Sequence, residues 1–152
     1  MNSIDKVRMV DIGDKPDTER EATAKGFVRM QPATLIMIQR GELVKGDVLA
    51  TAQIAGILAA KNTPQIVPLC HPLLLSNAAV EFQLNEAKSE IEITATVSTT
   101  GKTGAEMEAL TATAASALTI YDMCKSIDPR MRIEEIRLVR KSGGKSGTVE
   151  LE

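Results

Sequence analysis

The chain has 152 residues and a formal net charge of −2, with 18 Lys and Arg against 20 Asp and Glu. That length suits one domain with a core of its own, and the near-neutral balance argues against long nucleic acid, which selects for basic excess. With no Trp, one Tyr and two Phe there is little on which bases could stack, and no apolar run reaches the length of a membrane span.

Residues 1–24 are polar and without sustained periodicity, and roughly the first 20 read as an N-terminal arm that stays mobile unless held. Met1–Val10 carries charges in place of an apolar stretch, so no signal peptide is expected. Phe27-Val28-Arg29-Met30 predicts a short strand. Pro32 suits the first position of a helix that Gly41 stops. A second helix is predicted from about Asp47, its cap, to Lys61, with Val48, Ala52, Ala55 and Leu58 at helical spacing. The stretch from Asn62 to Pro72, with three prolines, reads as irregular.

Two alternating runs, Val80–Leu84 and Ile91–Val97, predict a hairpin turning through Asn85–Ser89. Gly101–Gly104 breaks the sheet and leads into the longest helix, about Ala105 to Ser126, ahead of Pro129. Met131–Lys141 predicts a last strand, and 142–152 a glycine-rich tail. Strand, helices, strand, strand, helix, strand is the split βαβ order, so residues 1–152 are expected to form a single α+β, ferredoxin-like domain with helices on one face of an antiparallel sheet.

Cys70 and Cys124 are far apart and form no CxxC pair, which argues against a disulfide framework or a structural zinc site and favours a reducing cytoplasmic setting. Leu69-Cys70-His71-Pro72 places the chain's only histidine in a stiff loop, where it reads either as a carbonyl-satisfying loop residue or as a ligand contact. Gly101-Lys102-Thr103 invites a phosphate-loop reading, but Thr96 stands where that motif needs glycine. What survives is a glycine-bearing turn feeding a helix N-terminus, where free N–H groups attract anions. Thr103 and Glu106 have capping-box spacing, so Glu106 reads as a helix-start device or a ligand contact. Glu108 has no such structural excuse.

Further along this helix, Asp122 and Lys125 share a face, as a surface ion pair or as an acid–base group held by its counter-ion. Glu108 and Asp122 lie about 21 Å apart at a rise of about 1.5 Å per residue. A nucleotide-sized pocket touching both helix ends therefore takes one from each of two subunits, which calls for a two-fold homo-oligomer. Lys45 before the second helix, and Lys141 and Lys145 in the glycine-rich end, add cations suited to a polyphosphate.

Five blocks in order carry a further resemblance: Lys45–Val48, Ile66–Leu73, Thr100–Thr111, Leu118–Lys125 and Lys141–Gly147. On these the chain resembles the MoaC family of molybdenum cofactor biosynthesis, the cyclic pyranopterin monophosphate synthases, over nearly its whole length. The resemblance implies a lyase that opens the imidazole part of a cyclised dihydro-GTP, rebuilds it as a pyranopterin, closes a cyclic phosphate and releases pyrophosphate. It implies Asp122 as the catalytic residue, with Lys45, His71, Lys125 and Lys141 assisting. Leu69, Cys70, His71, Met107, Glu108, Glu106 and Arg20 are then expected to hold substrate. It also implies a homohexamer, a trimer of dimers with sites at dimer interfaces, in the cytoplasm. No metal site or resident cofactor is expected, magnesium on the triphosphate staying open, and neither nucleic acid nor membrane is expected as a partner. The competing readings are a non-catalytic nucleotide-binding regulator on the same scaffold and an RNA-binding module.

Overall fold

The computed structural model describes residues 6–152, so the first five residues of the expected arm lie outside it. β1 (Thr18–Arg29) begins well before the predicted Phe27 strand and takes in Arg20 and the end of the expected arm. Its inward positions are Ala22, Ala24, Gly26 and Val28, small residues whose alternation carries little hydrophobic signal although the first two and Val28 are fully buried. α1 (Pro32–Arg40) and α2 (Val48–Lys61) follow as predicted, and a single turn, α3 (Thr63–Ile66), interrupts the stretch expected to be irregular. The hairpin strands β2 (Leu75–Asn85) and β3 (Glu90–Gly101) are longer than their apolar runs, because their outward positions are polar. α4 (Glu106–Cys124) stops before the expected Ser126. β4 (Arg132–Ser142) is answered by a short strand inside the expected tail, β5 (Val149–Glu150).

The sheet runs β2-β3-β1-β4-β5 with every pairing antiparallel. α4 lies across β1, β3 and β4, with α2 against α4 and β2, giving the α+β ferredoxin-like architecture. Ile91, Ile93, Ala95 and Val97 of β3 face Leu35, Ile120 and the alanines of α4 in one core. The opposite face carries charge pairs, among them Lys25–Glu92 at 3.6 Å and Arg29 with Glu90 and Glu134. Among the described residues no helix is long and apolar enough to cross a membrane.

α2 and α4 approach closely because Ala52, Gly56 and Ala60 form a small-residue stripe at spacing four, against Ala109, Ala112 and Ser116. The Ser116 hydroxyl donates to the Ala52 carbonyl at 2.9 Å. A Cβ on Gly56 would stand 2.4 Å from the Ser116 Oγ and 3.1 Å from the Ala112 carbonyl oxygen. Gly56→Ala is therefore expected to destabilise the fold by about 1–3 kcal/mol. A chemical denaturation midpoint equal to the parent's would contradict that close contact.

Candidate active site

The C-terminal end of α4 meets the loop between α1 and α2. Gly41 ends α1 in the left-handed conformation (φ 66°), and its N–H donates to the Ile38 carbonyl. Asp47 caps α2 as predicted, its carboxylate accepting from the Ala50 N–H at 3.0 Å. The short link between these two stops carries Lys45, whose Nζ donates to Asp122 Oδ2 at 2.9 Å. Lys125, one turn beyond Asp122, donates to Oδ1 at 2.5 Å. Asp122 is thus a half-exposed carboxylate between two ammonium groups. The hydrogen bonds from Lys125 and then Lys45 bring its pKa down to about 2, so it is ionised throughout the neutral range.

Buried Asp128 anchors this corner. Its Oδ2 accepts from the Gln31 N–H at 2.8 Å and the Thr34 hydroxyl at 2.9 Å, capping α1 from a residue 97 positions away.

The N-terminal end of α4 holds the other cluster. Cys70 Sγ donates to Glu108 Oε2 at 3.6 Å, while Glu108 Oε1 is buried without a partner among the described residues. Glu108 is 1% exposed, and burial raises its pKa above the ordinary glutamate value. Burial first, and the Glu108 carboxylate second, push the Cys70 thiol up to about 11. Cys70 is therefore a neutral thiol at physiological pH, a hydrogen-bond donor rather than a nucleophile. Leu69 and Met107 flank the pair with exposed side chains, and His71 follows half-buried.

At the same end of α4, with Glu106 in its wall, a cavity of about 470 Å³ opens between the start of β1, the turn before α4 and the loop after β4. Arg20 lines it, with its Nε tied to the Gly101 carbonyl at 3.0 Å. Lys141 reaches in from β4, 3.4 Å from Glu106 Oε1. The expected capping box does not form: the residue before α4 is Ala105, no side chain caps it, and the Glu106 carboxylate folds back over Gly104. Glu106 lines the cavity, the position its second reading, a ligand contact, requires.

The predicted residues thus fall into two groups. Leu69, Cys70, His71, Met107, Glu108, Glu106, Arg20 and Lys141 gather around the N-terminal end of α4, and Lys45, Asp122 and Lys125 around its other end. One subunit does not join them. Sequence reasoning missed Lys15 and Thr18, which line the cavity, Thr18 with a buried hydroxyl that has no partner among the described residues. The signal was Lys102, whose ammonium holds the Lys15 carbonyl at 2.9 Å and draws the arm to the turn before α4.

The MoaC family model matches residues 9–144, which include every residue of both clusters. The chain belongs to the MoaC family. It is 63% identical over 142 residues to a cyclic pyranopterin monophosphate synthase of Roseiflexus sp. (strain RS-1), covering 93% of this chain and 90% of the relative. A relative of the same name from Chloroflexus aurantiacus (strain J-10-fl) is 59% identical over 92% of this chain and 86% of its own length. Another, from Thermoanaerobacter sp. (strain X514), is 54% identical across 100% of this chain and 96% of its own. The MoaC match stops at Gly144, within the loop that walls the cavity, so the rest of that loop and β5 lie beyond it.

Proposed function

We propose that this chain is a cyclic pyranopterin monophosphate synthase, a lyase that converts cyclised dihydro-GTP to cyclic pyranopterin monophosphate and pyrophosphate in molybdenum cofactor biosynthesis. The observation that carries the reading is Asp122 held ionised between Lys45 and Lys125 in a MoaC-family chain whose nearly full-length relatives bear that name. A non-catalytic regulator has no need of a carboxylate poised between two ammonium groups. Ring opening and reclosure require several proton transfers, and pyrophosphate departure builds negative charge. When Lys45 and Lys125 turn to the substrate's anionic groups, Asp122 loses the contacts that depress its pKa and becomes a competent base. Lys141, Arg20 and the cavity N–H groups take the triphosphate, while Cys70 and Glu108 supply a donor and a buried acceptor to the ring system. In this reading no resident cofactor takes part, and any magnesium arrives with the triphosphate as part of the substrate.

The working site is shared between two subunits, in dimers that build a homohexamer in the cytoplasm. Two features support the shared site: the two clusters sit at opposite ends of α4, and Ile54, Leu58 and Leu118 of the helix layer are more than half exposed. An antiparallel meeting of two α4 helices across a two-fold axis would bring Lys45 and Lys125 of one copy to Glu106 and Glu108 of the other. Incubating the chain with cyclised dihydro-GTP tests the activity: the pterin and one pyrophosphate per turnover are expected, and substrate bound but unchanged would overturn the reading.

A further inference from the structure

The loop that walls the cavity is closed by residues outside the MoaC match. β4 ends at Ser142, the chain passes through Gly143 (φ 98°) and Gly144 (φ 74°), and it returns as β5, pairing Val149 with Lys141 and Glu150 with Arg140. The Leu151 N–H adds a bond to the Val139 carbonyl at 2.9 Å. The inner side of the loop lies flat on β1, since a Cβ on Gly143 would stand 2.2 Å from the Glu19 carbonyl oxygen. Its other residues, Lys145 and Ser146, face the cavity with Lys15 and Lys141. A glycine-rich loop carries high conformational entropy and does not hold such a pose unaided.

Two acid–guanidinium pairs hold its far end. Arg140 Nε donates to Glu150 Oε1 at 2.9 Å, while its Nη1 donates to Glu21 of β1 at 3.2 Å. Arg137 grips Glu152 with two N–H groups, Nε to Oε2 at 2.9 Å, and stacks 5.4 Å above the Phe27 ring. Each pair is exposed and weak alone. The bidentate Arg137–Glu152 contact, and the single Leu151 between Glu150 and Glu152, make the two pairs act together on one short end segment.

We propose that Glu150 and Glu152 are positioning residues, which, through Arg140 and Arg137, hold the 142–148 loop as the phosphate-facing wall of the cavity. The class of ligand rests on the synthase reading above; the strap itself rests on geometry alone. The test is the full-length chain carrying Glu150→Gln and Glu152→Gln together, both half-exposed positions where the amide leaves folding intact. Amide hydrogen exchange at Gly143–Ser146 is expected to quicken about tenfold, and the affinity for inorganic pyrophosphate to fall about five- to tenfold. In turnover, KM for the triphosphate substrate should rise by the same factor with kcat within about twofold. Unchanged exchange with unchanged pyrophosphate affinity overturns the proposal, as does a fall in kcat with KM unmoved. Because exchange and pyrophosphate binding require no turnover, the strap can fail while the synthase reading stands, and the reverse.

Discussion

Asp122→Asn is expected to leave the fold intact and to cut pterin formation by about a hundred- to ten-thousandfold, the range for loss of a general acid–base group. The amide keeps the shape and can still accept from one lysine, but it has no charge to hold two ammonium groups and no proton affinity to use when they move to substrate. Folding is spared because the carboxylate is half-exposed and caps no helix. Its folded pKa, about 2, lies below the ordinary value of 3.8, so the small stability it contributes is present above pH 3.8 and is lost as pH falls through about 2. The Asn variant should therefore match the parent in thermal melts at low pH and differ little at neutral pH, while single-turnover rates separate them. Wild-type turnover by the variant would remove Asp122 from the chemistry.

Glu108→Gln is expected to act in two opposite directions. Glu108 is buried beside a neutral thiol, with one carboxylate oxygen unpartnered. A substrate donor reaching that oxygen gains a charge-assisted hydrogen bond in a dry site, so the amide should weaken substrate binding by about ten- to a hundredfold. The same burial raises the carboxyl's folded pKa, and the sign for an acid is fixed: the unfolded chain releases its proton first, so stability falls as pH rises from the unfolded value toward the folded one. Gln carries no such liability. The variant should be as stable as the parent near pH 4 and more stable at pH 7, read as a gain in denaturation midpoint, while KM rises. Equal pH dependence in both proteins would contradict a carboxyl whose pKa burial raises.

What was legible in the sequence follows from where the signal resides. α2 was readable to its cap, because Asp47 and the helical spacing are local chemistry. β1 was largely missed because its core face is Ala22, Ala24 and Gly26, residues that pack well and score weakly. Capping-box spacing left two readings of Glu106 open, and the sequence could not decide between them because Lys141, which lies within reach of the carboxylate, is 35 residues away. The Asp122–Lys125 pair was visible as a helix face. Lys45 was visible as a cation before a helix start, and the family resemblance marked it as an assisting lysine, but its contact with Asp122 across 77 positions is set by the tertiary fold and was not legible. The Glu108 environment depends on which loop folds over it, and β5 is too short to announce itself.

The central claim is that opposite ends of α4 act together only across two chains. Asp122→Asn protein, nearly inactive alone, and Glu108→Gln protein, which binds substrate about ten- to a hundredfold more weakly, should be unfolded together, refolded as a mixture and assayed at substrate well below the KM of Glu108→Gln, where each alone turns over little. Half of randomly formed dimers carry one variant of each kind, and each of these has one site with both residues intact, so roughly a quarter of the wild-type rate should return. A mixture no more active than its separate components would place Asp122 and Glu108 in the same subunit's site and contradict the account.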